Sequence, residues 1–439
     1  MRDVIAGRSK SDVEKFGKKG TLYLGKQYIT MGQNVTLSNP IRMDVSTSHS
    51  MFICGKRGGG KSYTMGVIAE GFAKLDKDVG ENLSIILLDT MGVYWTMKYP
   101  NKKDAKLLND WGLEPEGMDV QIYTPEKYYK KYKEQGVPTD HAFSLRAGDL
   151  DTDDWIKTFN LDKFGPKGIL LQKIILNLKD DKGDNFTIDD ILKKVDMVKG
   201  EETTTKKAIK SMFKTAKSWG VFSDKATPLT ELASGGQVTV LDLSCYATMP
   251  GGWEVKSMVL GIVAKKLFTQ RMEVRKFEEF DSVKGALHYF TEEGLNERSM
   301  PLVWLVIDEA HEFMPEESIE ETAATEPLMI ILREGRQPGI SLILATQQPG
   351  KIHSDVLTQS DIILSHRVTA RLDVEALTQL TQSYMQEGII TKMDHLPRVK
   401  GSAVLFDDSN ENLYSMRVRP RFTWHGGSAP SAIPEKKEK

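Results

Sequence analysis

The chain has 439 residues, 40% hydrophobic and 27% charged, enough for about two or three ordinary domains or one large α/β domain with insertions. Its 59 Lys and Arg against 61 Asp and Glu leave a net charge of −2, so bulk charge announces no nucleic-acid partner and any such contact needs a local basic surface. Two cysteines, Cys54 and Cys245, exclude a disulfide framework; the absence of an apolar run near the ~18 residues of a membrane span, and of an apolar core in the charged N-terminal stretch, predicts a cytoplasmic protein without direct membrane insertion.

Residues 1–50 read as a polar, Lys-rich flexible arm to residue 20, then a small β element built from TLYLG, QYITMG and NVTLS. Residues 51–100 begin an α/β nucleotide-binding core. The apolar run Met51, Phe52, Ile53, Cys54 stops at Gly55, and Gly60, Lys61 and Ser62 complete G-x-x-x-x-G-K-[ST]. Glycines at 55, 58, 59 and 60 allow the backbone N–H groups to wrap a polyphosphate. Lys61 then reaches the β- and γ-phosphates, and the Ser62 hydroxyl ligates Mg²⁺. Met65, Ile68, Ala69, Phe72 and Leu75 recur at helical spacing, so the loop opens a helix whose positive end faces the phosphates. An accidental glycine-rich turn lacks that strand-before, helix-after context. Residues 83–88, LSIILL, read as a strand buried on both faces, and Asp89 stands at its carboxyl end, where parallel sheets bind ligands.

Residues 101–235 read as a mostly helical insertion. There Lys207, Lys210, Lys214 and Lys217 oppose Ile209, Met212, Phe213 and Ala216, the pattern of a solvated helix face ahead of a nucleic-acid surface. Residues 236–424 resume the core with VTVLDL, a helix over 256–277, a polar connector over 278–300, and the most apolar strand, LVWLVI, which delivers Asp308 and Glu309. A helix over 328–336, a strand over 342–345 delivering Thr346 and Gln347, a strand over 362–364 and a helix over 372–380 come next. Two β-like pieces, GSAVLFDD and LYSMRVRP, close the core, and residues 425–439 have the composition of a disordered tail.

An apolar strand ending in Asp-Glu suits the second half of a nucleotide hydrolase: Asp308 holds Mg²⁺ through water, and Glu309 orients or deprotonates the attacking water. Gln347 is either a γ-phosphate contact or an ordinary strand-end polar residue. Arg333 and Arg336, at i and i+3 on one predicted helix face, are either an arginine finger for a neighbouring subunit or surface charges. Three other matches fail on context. Asn101 to Asp104, N-K-x-D, follows Pro100 in a polar turn; ASGGQ at 233–237 runs into a strand where the transporter signature it matches opens a helix; and Pro315 occupies the second His position of a would-be H-E-x-x-H.

Taken in order, GKRGGGKS, LLDTMGVYW, LVIDEAHEFMP and LREGRQPGISLILATQQP resemble the HerA/FtsK group of ring ATPases, most of all HerA, over roughly residues 50–420. The resemblance implies a RecA-like fold with a mainly parallel sheet and a nucleotide site over Gly55, Lys56, Arg57, Gly58, Gly59, Gly60, Lys61, Ser62 and Tyr63. It implies ATP and Mg²⁺, with Ser62 and Asp308 on the metal, Glu309 as catalytic base, Gln347 as sensor, Asp89 as a further acid, and a finger within Arg333 and Arg336. It also implies a hexamer that pulls duplex DNA through a central channel in end processing or repair, with a NurA-type nuclease as partner. A transfer ATPase that energises a membrane-associated transport machine is the other reading of the same motifs. The sequence departs from HerA in having only a short β element before the loop, where those proteins carry a longer β-barrel.

Overall fold

The apolar runs become the inner strands of a thirteen-stranded sheet. The computed structural model describes residues 3–31, 34–287, 300–368, 371–379 and 383–427. β1 (Val4–Ala6), β2 (Thr21–Met31) and β3 (Asn34–Asp44) precede β4 (Ser50–Cys54), which leads into the phosphate loop. β5 (Leu83–Asp89), β6 (Gln121–Pro125), β7 (His141–Phe143), β8 (Val238–Asp242), β9 (Leu302–Ile307), β10 (Ile340–Thr346), β11 (Ile362–His366), β12 (Ser402–Asp407) and β13 (Asn412–Val418) follow. Their spatial order is β1-β3-β2-β13-β12-β11-β4-β10-β9-β5-β8-β6-β7. From β11 to β7 every neighbouring pair is parallel. On the other side β12, β13, β2 and β3 continue the sheet antiparallel.

Strands of this block are buried on both faces, which is why they read as unbroken apolar runs. Alternate residues serve two layers. Phe52, Ile86, Leu88 and Leu305 face the helical insertion and the long helix Gly252–Leu287, in one continuous core with Trp155, Leu170 and Phe213. Met51, Ile53, Ile85 and Leu87 face the phosphate-loop helix Lys61–Phe72 and the N-terminal strands.

Several expectations change. Residues 3–20 are no free arm: β1 pairs in parallel with β3, the helix Lys10–Phe16 is capped by Ser9, and Arg8 is buried in an ion pair with Asp44. The partners that order this stretch come later in the chain, so its own polar composition could not show them. The small β element is the hairpin β2–β3, and β2 also hydrogen-bonds to β13, so the hairpin extends the main sheet. The insertion over 101–235 is mostly helical yet contributes β6 and β7 to the parallel edge. Its lysine-bearing helix Thr203–Trp219 buries Ile209, Phe213 and Ala216, while Lys210 and Lys217 pair with Asp196 and Asp189. The long helix runs to Leu287, through part of the expected connector, whose residues 288–299 lie outside the described residues, as do Leu380 and residues 428–439 of the expected tail. Residues 425–427 do not hang free, since the Gly426 N–H donates to Thr96 Oγ1 at 3.1 Å.

Candidate nucleotide site

β10 lies between β4 and β9, so the carboxyl ends of three adjacent parallel strands place the phosphate loop, Thr346 with Gln347, and Asp308 with Glu309 side by side. In the loop, Gly58 and Gly60 have φ of +72° and +121°, a region a side chain disfavours, and the Thr64 N–H then closes the first helical turn on Gly60 O at 2.8 Å. Lys61 is buried and folds back, its Nζ donating to Gly55 O at 3.1 Å. The Ser62 hydroxyl donates to Asp308 Oδ2 at 2.7 Å, and Asp308 Oδ1 accepts from the Glu309 N–H at 2.9 Å.

Glu309 takes a left-handed conformation, φ +52°, uncommon for a residue with a side chain. Its Oε1 accepts from Gln347 Nε2, while its Oε2 is buried without a hydrogen-bond partner among the described residues. Burial first, then the charge of Asp308, pushes the Glu309 carboxyl up to about 7, against the opposing effect of Lys61. Asp89 is buried and accepts the N–H groups of Met91, Gly92 and Tyr94 at 3.2, 2.7 and 2.8 Å. Burial first, then Asp242, its register partner on β8, raises its pKa against the opposing effect of those three N–H donors.

The two arginines do not sit as expected. The helix is Thr325–Glu334, so Arg333 lies in its last turn and donates Nε to Asp355 Oδ2 at 2.6 Å, whereas Arg336 lies in the turn beyond. Gly335 and Pro338 end the helix before a shared face can form. Neither arginine reaches the loop of its own chain, because both precede β10 and the site lies at that strand's far end. Tyr63 turns to the C-terminal segment, its Oη accepting the Arg421 N–H at 2.6 Å. Lys56 and Arg57 are exposed on the loop.

Besides Asp242, four residues of the site were not found from sequence. Tyr94 Oη is buried without a partner among the described residues, and burial, then Asp308 and Asp89, raises its pKa. His366 ends β11 beneath the loop, its Nδ1–H donating to Ser402 O at 3.2 Å and its Nε2 accepting from Thr64 Oγ1 at 2.9 Å. Burial, then the charge of Lys61, holds it neutral, down to about 4. A Cβ at Gly55 would stand 2.6 Å from His366 Cβ, so the loop's first glycine is required by this close approach. Lys256, on the long helix, donates to Thr90 O at 3.1 Å and so fastens the loop that carries Tyr94. His311 lies beside Glu309 and Thr346. A polar residue ending an apolar run is the signal that could have found Asp242 and His366, and Tyr94 lies within the LLDTMGVYW stretch without being singled out there; nothing local marks Lys256.

A parallel sheet with a phosphate loop, an Asp-Glu pair and a glutamine on adjacent strand ends defines a RecA-like P-loop nucleotide-binding protein. Within that class the chain belongs to the helicase HerA central-domain family, whose profile matches residues 24–249, just over half of it. Among curated proteins, the probable DNA double-strand break repair helicase HerA of Methanocaldococcus jannaschii is 30% identical over 135 residues, 29% of this chain and 25% of that protein. The DNA double-strand break repair helicase HerA of Pyrococcus furiosus is 29% identical over 167 residues, 35% of this chain and 28% of that protein. The matched stretches thus span only about a quarter of these relatives' length. The solved structure of VirB4 of Thermoanaerobacter pseudethanolicus superposes with a TM-score of 0.51 at 14% identity, over 92% of this chain and 97% of that one, a likeness of fold.

Proposed function

We propose that this chain is an ATP hydrolase of the HerA type that assembles as a ring, a hexamer, and uses hydrolysis to move DNA. The observation that carries the chemistry is the Ser62–Asp308–Glu309–Gln347 chain of contacts laid against the phosphate loop. The residues suit a Mg²⁺ nucleotide: Ser62 would hold the metal directly and Asp308 through water, and a bound Mg²⁺ would neutralise charge developing on the β- and γ-phosphates. Lys61 gives up Gly55 O to meet phosphate. Glu309 aims Oε2, the oxygen left without a donor, at the attacking water, and Gln347 exchanges Glu309 for the γ-phosphate, reporting its presence. Asp89 shapes the loop beside the metal side through its three backbone contacts. DNA as the moved polymer rests on family membership and on the relatives' description as DNA double-strand break repair helicases. A NurA-type nuclease as partner belongs to the same reading and rests on family membership alone.

The test is steady-state ATPase with and without duplex DNA, alongside native mass with nucleotide, for wild type, Lys61→Ala and Glu309→Gln. Expected are DNA-stimulated turnover by a hexamer, lost nucleotide binding in Lys61→Ala, and retained binding with turnover reduced by ~10² or more in Glu309→Gln. A monomer whose turnover ignores DNA would sink the translocase reading. Turnover without DNA stimulation, in a ring that co-purifies with membrane proteins, would favour the transfer-ATPase reading.

A further inference from the structure

His311 occupies the single turn after Glu309 and is not used by the chemistry above. Its side chain is only 12% exposed. Thr346 Oγ1 lies 2.9 Å from its Nδ1, and the Gln348 side-chain nitrogen lies 3.2 Å from its Nε2. Burial, then the charges of Lys351 and Lys61, lowers its pKa, so the ring is neutral and carries one hydrogen. The Gln348 amide donates to Nε2, which leaves that hydrogen on Nδ1. There it faces two oxygens: Thr346 Oγ1, which also accepts the Gln348 N–H at 3.0 Å, and Glu309 Oε2 at 3.6 Å. With Glu309 ionised, the form a general base needs, the opposite tautomer would turn the Nδ1 lone pair toward Oε2 and set two acceptors against each other.

We infer that His311 is a positioning residue whose Nδ1–H, fixed there by Gln348, ties the end of β10 to Glu309 and holds the glutamate's free oxygen in place when Gln347 leaves for the nucleotide. The inference rests on the proposed ATPase reading. Gln347 is the only residue among those described that donates to the Glu309 side chain. Once it turns away, His311 Nδ1 is a donor already beside the carboxylate, 3.6 Å from Glu309 Oε2. His311 thus acts on turnover and leaves nucleotide binding alone.

The test separates the two ring nitrogens. Asparagine places an amide near Nδ1, and glutamine places one near Nε2. His311→Ala should lower kcat by about 10- to 100-fold, the usual cost of losing a residue that orients a reacting group, with the affinity for a non-hydrolysable ATP analogue changed less than about twofold. His311→Asn should recover most of that loss and His311→Gln little of it, at matched melting temperatures. Independently of activity, the ¹⁵N imidazole spectrum of the wild-type protein, assigned with the His311→Asn variant, should show the Nδ1–H tautomer, and Gln348→Ala should shift it toward Nε2–H. An Nε2–H tautomer in wild type, a His311→Gln variant as active as His311→Asn, or an undiminished His311→Ala would overturn the inference. If Glu309→Gln keeps full turnover, the proposed base is wrong instead. A wild type that binds but hydrolyses no ATP overturns both.

Discussion

His49 shows how much one side chain can do far from the chemistry. It sits at the amino end of β4, 7% exposed, with Nδ1 2.6 Å from Asp361 Oδ2 and Nε2 3.2 Å from Asp44 Oδ2. Both nitrogens face carboxylates, so both carry hydrogen. Burial opposes the charge, but Asp361 and Asp44 outweigh it and raise the pKa from 6.5 to about 9. Asp44 also takes the buried Arg8 pair, so His49 links the N-terminal strands to the parallel block. Because the folded pKa lies above the unfolded one, the stabilisation is complete below about 6.5 and disappears as pH rises through about 9. Chemical denaturation should show a loss on the order of 3 kcal/mol across that window, after discounting other groups with the His49→Gln variant, which should lack that component. An unchanged pH slope in the variant would remove His49 from this role. The same residue marks a limit of sequence reading. Gly55 to Ser62, Asp308, Glu309 and Gln347 were legible because each follows an apolar strand in the same local stretch, whereas His49, Asp44, Asp361 and Arg8 meet only after the sheet has closed.

At the scale of elements, the phosphate-loop helix is held from behind by the segment that follows β13. Glu70, fully buried on that helix, accepts from Arg419 Nη1 at 2.6 Å and from the N–H and hydroxyl of Thr423 at 2.9 and 2.6 Å. Arg421 is buried beside it, its Nε 3.6 Å from Glu70 Oε1, and its guanidinium packs against Gly66. The helix buries ten of its twelve residues, so the apolar stripe that announced it was only part of a surface covered all round. Glu70→Ala would leave two buried guanidinium groups without their carboxylate, and a loss of about 3 to 5 kcal/mol in denaturant unfolding is expected. Gly66→Ala tests the same clamp by steric means. Its Cβ would stand 2.4 Å from Arg421 Nη1, and overpacking of this kind costs about 1 to 3 kcal/mol. Nucleotide affinity should fall with it, because the Arg421 N–H donates to the Tyr63 hydroxyl at the helix's first turn. A Gly66→Ala protein as stable as wild type would show that the guanidinium moves aside freely. The strands at the sheet's centre were readable as apolar runs, but this clamp was not, since Glu70 and Arg419 stand 349 residues apart.

For the whole molecule, the direction of β10 decides what the two arginines can reach. Arg333 and Arg336 stand just before Ile340, and the glutamine facing the site stands just after Thr346. A strand of seven residues spans about 20 Å, so both arginines lie at the opposite edge of the sheet from their own phosphate loop. In a ring of heterologous contacts, one edge of each subunit meets a different edge of the next, so a group remote from its own site is the kind that can complete a neighbour's. The pair then divides. Arg333 is held by Asp355, an exposed contact worth about 0 to 1 kcal/mol, while Arg336 makes no ion pair among the described residues and is exposed. Arg336 is therefore the stronger candidate for the finger: Arg336→Ala should lose about 10³-fold or more in kcat, and Arg333→Ala less than about tenfold. Arg336→Ala subunits mixed equally with Lys61→Ala subunits, each inactive alone, should regain roughly a quarter of wild-type turnover, because one site in four then joins an intact loop to an intact neighbouring arginine. A mixture that stays inactive while native mass shows mixed rings would place the arginine's action within its own subunit or nowhere in catalysis. Recovery with Arg333→Ala in its place would transfer the role to that residue.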